Sequence, residues 1–136
     1  MLLELEVPLL NYIDKYLKLL KKMAVYEINS LTIEKGTDFD ETFKIYNEDG
    51  SPLGINSSFT GVAKIRKHPT STVVYPLDVY LNGTTNEVNI SMAATMTSSL
   101  PSGRCYFDLL LTYGYADTTT KKFIKGTIIV GDTASI

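Results

Sequence analysis

Residues 100–130 read LPSGRCYFDLLLTYGYADTTTKKFIKGTIIV, and their pattern decides the fold class of this chain. A Pro-Ser-Gly turn signal at 101–103 feeds an apolar-aromatic run at 104–113. A Thr-rich reversal follows, and a β-branched run at 121–130 closes the segment. Two runs rich in Val, Ile, Thr, Tyr and Phe, bounded by turn residues, are the pattern of paired antiparallel strands. In the first run Cys105, Phe107, Leu109 and Leu111 alternate with Tyr106, Asp108 and Leu110. That strand is apolar on both faces and is expected to be central. Nothing in the pair has a helical period, and nothing in it is arranged for catalysis.

Upstream the same texture continues. Strand-like runs at 25–34, 39–47, 59–67, 72–81 and 87–92 are separated by Lys35-Gly36, Asn47-Glu48-Asp49-Gly50, His68-Pro69 and Asn82-Gly83. Gly, Asn and Asp reach positive φ at little cost, which makes these strong turn signals. Residues 93–99 read as a short helical turn linking sheets. With the closing pair this makes seven strands at hairpin-like spacing. The predicted fold is mainly β, a seven-stranded antiparallel sandwich of immunoglobulin-like architecture. The tryptophan and disulfide of antibody domains are missing, since the chain has no Trp and one Cys.

Residues 1–22 differ from all that follows, dividing the chain into an N-terminal helix (1–22) and a β domain (23–136). Leu2, Leu5, Leu9, Tyr12, Tyr16 and Leu19 recur at alternating spacings of 3 and 4, and Leu3, Leu10, Ile13, Leu17 and Leu20 form a second stripe. Together they predict one amphipathic helix with a wide apolar face. Pro8 fits only a first helical turn, so the firm part begins near residues 7–9. Glu4 and Glu6 precede the helix and Lys18, Lys21 and Lys22 end it, the order its dipole favours. Such a face must be covered. It could pack on its own sandwich, self-associate or dock on a partner, or lie on a membrane surface. Leu9, Ile13, Tyr16, Leu17 and Leu20 are the expected partner-binding residues. Met23 is also a candidate internal start, which would make the helix an appended extension.

Composition narrows the function classes. The 136 residues are 44% hydrophobic, enough for one domain with a real core. A net charge of −2 speaks against a nucleic-acid surface, which needs a dense basic field. No apolar run approaches the roughly 20 residues of a membrane span. The N-terminus carries Glu4 and Glu6 where an export signal carries positive charge, so no signal peptide is expected.

Catalytic and metal-binding groups are scarce. His68 is the single histidine and lies in a turn beside Pro69, too little for a His-based metal site or nucleophile pair. Cys105 sits mid-strand and reads as core. Asp38, Asp40, Glu41, Glu48 and Asp49 lack the spacing of a calcium loop. No glycine motif for nucleotides is present. The chain is therefore read as a non-enzyme with no cofactor or metal. Ligand contact has two kinds of candidate: the tyrosines Tyr75, Tyr80, Tyr113 and Tyr115, which could stack on sugars, and the basic residues Lys64 and Arg66. A second basic cluster is Lys121, Lys122 and Lys125. Outward lysines that block edge pairing are the plainer explanation for both clusters.

Four stretches carry a family likeness: IEKGTDFDETFKIYNEDGSPL from Ile33, KIRK at 64–67, LPSGRCYFDLLL from Leu100 and FIKGTIIV at 123–130. In this order they resemble the N-terminal β-sandwich of phage baseplate upper proteins and related tail-fibre modules, over residues 33–130. There a G-x-x-F strand leads to a D-G-x-P-L turn, and a G-x-Y-x-[YF]-D strand precedes a closing G-x-[IV]-x-[IV] strand. The likeness implies a virion building block, made in the host cytoplasm, that partners other virion proteins; the helix face adds the expectation of a homo-oligomer. Two departures set this chain apart: it ends at Ile136 without a further domain, and it starts with a leucine-rich helix. The rival expectation is a carbohydrate-binding or adhesion module that recognises a host surface glycan.

Overall fold

The computed structural model describes residues 2–5, 26–47, 49–114 and 118–132. Eight strands and one helical turn fill them: β1 (Leu2–Leu5), β2 (Tyr26–Glu34), β3 (Phe39–Tyr46), β4 (Thr60–Arg66), β5 (Tyr75–Asn82), β6 (Glu87–Met92), α1 (Ala94–Thr97), β7 (Gly103–Tyr113) and β8 (Thr119–Gly131). The seven strands predicted after residue 23 all appear, with ends shifted by at most three residues. Residues 93–99, read as a short helical turn, hold α1.

Hydrogen bonds run through one order, β1-β3-β6-β5-β4-β7-β8-β2. The pairing partner changes within β5. Its residues Tyr75, Pro76 and Leu77 pair with β4, and Asp78 to Asn82 pair with β6. The strands close on a single apolar core to which β2 through β8 all contribute. Phe43, Val88, Ile90, Cys105, Leu109 and Ile128 are wholly buried within it. Each large apolar side chain so removed from water contributes about 1.5–3 kcal/mol before ordering costs are subtracted.

Two expectations need correction. The sheet is mixed, because β2 pairs with β8 in parallel from Tyr26↔Ile124 to Glu34↔Gly131. The crossover at 35–38 takes the chain from β2, beside β8, to β3 in the other ladder, so among the described residues β2 has no hairpin partner. Leu2 and Leu5, read as part of the helical stripe, lie in a strand antiparallel to β3. A Leu-Leu-Glu-Leu segment satisfies its backbone groups equally well on an open strand edge, and hydrophobic period alone does not separate the two over four residues. The rest of the predicted helix, with Leu9, Ile13, Tyr16, Leu17 and Leu20, lies outside the described residues.

The closing pair is the backbone of the fold. β7 and β8 pair from Gly103↔Val130 to Tyr113↔Thr119, and a bulge sets Leu109 against Ile124 but Leu110 against Lys122. The extra residue, Phe123, lets Phe123 and Ile124 both be buried in succession. A second bulge lies in β2 between Ile28 and Leu31. There the Asn29 carboxamide oxygen accepts from the Thr127 N–H and hydroxyl, both at 3.1 Å, replacing bonds that the ladder omits. Gly126 faces this bulge. A Cβ on it would fall 1.6 Å from the Ile28 carbonyl oxygen, so only glycine lets β2 approach β8 so closely.

Polar clamps fix the ends. Thr97, fully buried, accepts from the Gly36 N–H (3.0 Å) and donates to the Thr37 carbonyl (2.8 Å), tying α1 to the β2–β3 crossover. The Lys35 N–H reaches the Gly131 carbonyl at 2.9 Å. At the other end Asn86, at φ +57°, accepts from the Gly54 N–H at 3.2 Å and donates to the Ile45 carbonyl. Its buried carboxamide thereby holds the 53–55 loop against β3.

Candidate functional site

β-strand alternation decides what the outward face of β4, β7, β8 and β2 carries. With Ala63 and Ile65 buried, Val62, Lys64 and Arg66 face outward from β4. With Cys105, Phe107 and Leu109 buried, Tyr106, Asp108 and Leu110 do so from β7. The register then lines up side chains that the sequence keeps far apart. Lys64 pairs with Asp108, Asp108 with Lys125, and Lys125 with Glu27. The result is a row of alternating charge across four strands, with Lys122 Nζ also 3.3 Å from Asp108. The next row sets Arg66 against Tyr106 and Tyr106 against Thr127.

These rows line a groove of about 370 Å³ over Lys64, Arg66, Tyr106, Lys122, Lys125 and Asn29. It joins Lys64 and Arg66 to Lys122 and Lys125 of the second basic cluster. Four of its charged side chains are cationic and two, Glu27 and Asp108, are anionic. Arg66 is steadied by donating to the Ser71 carbonyl, in the turn that carries His68. Opposite charges in adjacent strands stabilise a sheet by roughly 0.2–1 kcal/mol per pair. The row therefore explains much of the lysine pattern as sheet pairing.

The tyrosines do not converge there. Tyr75 packs against the core and lines a separate hollow of about 340 Å³ beside Val73 and Pro101. Tyr80 is exposed on β5, in the ladder with β6. Tyr113 stacks on Phe59 with ring centroids 4.9 Å apart, as packing rather than as an open platform. Tyr115 lies outside the described residues. The aromatic residue that does join Lys64 and Arg66 is Tyr106. Strand alternation around Cys105 and Phe107 marks it as outward-facing, but its neighbours depend on register and are not written in the sequence.

The remaining polar candidates have local duties. His68 is exposed in its turn. Cys105 is buried, with its thiol pushed up by desolvation and only partly offset by Lys67, so it is no ready nucleophile. Asp38 accepts from the Ala94 N–H at 2.8 Å, and Asp40 accepts from the Asn89 carboxamide. Asp49 accepts from the Ser51 N–H (2.9 Å) and hydroxyl (2.6 Å), which hold its carboxyl below the usual range. Glu41 is shifted upward, by burial first and by the neighbouring Asp40 second. Among the described residues no three His, Cys, Asp or Glu side chains gather as a metal site. No helix of the described residues is long and apolar enough to cross a membrane.

No family model matches this chain, and no curated protein matches it.

Proposed function

We propose that this chain is a non-enzymatic structural component of a tailed-phage virion, in a tail, baseplate, fibre or capsid decoration, acting through protein–protein assembly. The observation that carries the proposal is β1. A short apolar strand, twenty residues upstream of β2, seats on the open edge of β3. Sheet edges that take an added strand are a standard means of joining protein chains. The clamped β body supplies the rigid unit that such a joint requires.

The finer fold assignment, an immunoglobulin-like sandwich, belongs to the same proposal. Support comes from the division of the strands between two ladders, β1-β3-β6-β5 and β5-β4-β7-β8-β2, that share only β5. The phage-like stretches contribute their turns and closing strands to this body: NEDGSPL shapes the turn after β3, and GTIIV includes Gly126. The predicted helix face of Leu9, Ile13, Tyr16, Leu17 and Leu20 would make the contact with copies of the chain or with neighbouring virion proteins. The chain would be made in the host cytoplasm and act in the particle.

Replacing Leu9, Ile13 and Leu17 with Asp in the full chain tests this reading. Sedimentation velocity should show an oligomer for the parent and a monomer for the variant, with the β-sheet circular dichroism unchanged. An equal sedimentation coefficient for the two would refute it.

The groove favours a second reading, a glycan-binding module. Tyr106 offers a ring beside Arg66 and Lys64, a combination suited to a sugar bearing a carboxylate or sulfate. Titration with host polysaccharide should then give binding that Arg66→Gln and Tyr106→Ala both weaken about tenfold. A flat titration would eliminate it.

A further inference from the structure

We infer that the edge of β3 at residues 43–46 is a strand-exchange site, and that in the assembly it receives the Leu2–Leu5 strand of a second copy of this chain. The inference builds on the assembly reading and names the partner and the joint.

Three observations meet at this edge. First, β1 is four residues long and, among the described residues, its only strand partner is β3. The same four register pairs, Leu2↔Tyr46 through Leu5↔Phe43, form whether the strand comes from the same chain or from a neighbour. The ladder energy cancels in that comparison, so effective concentration decides which strand is seated. Second, twenty residues separate Leu5 from Tyr26. Even at the 1.5 Å rise per residue of a helix, twenty residues reach about 30 Å, enough for a neighbouring molecule. Third, the edge is selective. Beyond the ladder, β3 continues with Asp40 and Glu41, and Glu41 occupies the same alternation as buried Phe39, Phe43 and Ile45. A carboxylate in the inward row discourages strand addition at 39–42. Positions 43–46, whose inward side chains are Phe43 and Ile45, remain as the receiving segment, propped from behind by the bond from Asn86 to the Ile45 carbonyl.

Cysteine pairs in the full chain provide the test. Glu4 and Lys44 are register partners, as are Leu2 and Tyr46. Glu4→Cys and Lys44→Cys chains, one isotopically labelled, are mixed from micromolar to about millimolar concentration, the range in which a tethered strand and a free one compete. They are then oxidised gently and weighed by mass spectrometry. The expected product is the mixed disulfide dimer, at least fivefold above the dimer formed when Asp40→Cys replaces Lys44→Cys. The Leu2→Cys and Tyr46→Cys pair should behave alike, which guards against misfolding of one variant. If the mixed dimer never exceeds the Asp40→Cys control for either pair, exchange is overturned. Should the helix-face variant still dissociate the oligomer in that case, the assembly reading survives without it.

Discussion

The two ends of the strand order, β2 on β8 and β1 on β3, are both N-terminal segments laid on a sheet edge, yet they are built differently. β2 is locked. It pairs over nearly its whole length, bends at a bulge whose missing bonds Asn29 replaces, and lies so close to Gly126 that no side chain fits between. β1 is merely seated, through four register pairs and twenty residues away from the body. Under the proposed exchange, the locked edge is the permanent one and the seated edge the exchangeable one. Permanence comes from features specific to one partner, while exchange uses a ladder that any copy can supply.

The largest expected effect falls on the locked edge. Gly126→Ala places a methyl group within 1.6 Å of the Ile28 carbonyl, so β2 must leave β8. A loss of about 3 kcal/mol or more is expected. Urea unfolding should show it, together with faster amide exchange across 26–34; a near-neutral result would mean that β2 is not locked.

Asn86→Ala acts behind the seated edge. It removes the buried donor to Ile45 and the acceptor for Gly54, at an expected cost of about 2–3 kcal/mol. Amide exchange should rise at 43–46 and 53–55 rather than along β2. Asn29→Ala should cost about 1 kcal/mol, because its bonds to Thr127 are exposed and water can replace them. A cost as large as that of Asn86→Ala would show that water does not replace the Asn29 bonds to Thr127.

The smallest effect concerns pH. Glu41 has its folded-state pKa raised, so the folded protein favours its neutral form. The stability this lends is fully present below the ordinary carboxylate value of about 4.3 and is lost as pH rises through the folded-state value. Glu41→Gln should therefore be slightly more stable than the parent at pH 7 and indistinguishable from it below about pH 4. Denaturant midpoints at the two pH values check the sign.

Much of the β body was legible because its signals are local. Alternation at 105–111, the Asn-Glu-Asp-Gly turn and the residues around Gly83 each announce themselves within a few positions. The parallel pairing of β2 was not legible, since parallel neighbours are set by crossovers and leave no turn signature. Leu2–Leu5 was misread because four apolar-rich residues satisfy helix and strand periods alike. At the surface, Lys64 and Arg66 were found by composition. Their neighbours Tyr106, Asp108 and Lys125 come from strands some 40 to 60 positions away in sequence, joined only by register. Asn86 and Thr97 escaped for the same reason: a buried polar latch looks like any turn residue until its distant partners are known.

On the proposed reading, residues 1–22 carry assembly while 23–136 form a self-sufficient β body. Sedimentation velocity of the full chain beside a chain beginning at Met23, each with its thermal melt, tests it most directly. A cooperative melt is expected for both, with an oligomer for the full chain and a monomer for the shorter one. A shorter chain that sediments as the same oligomer would contradict it.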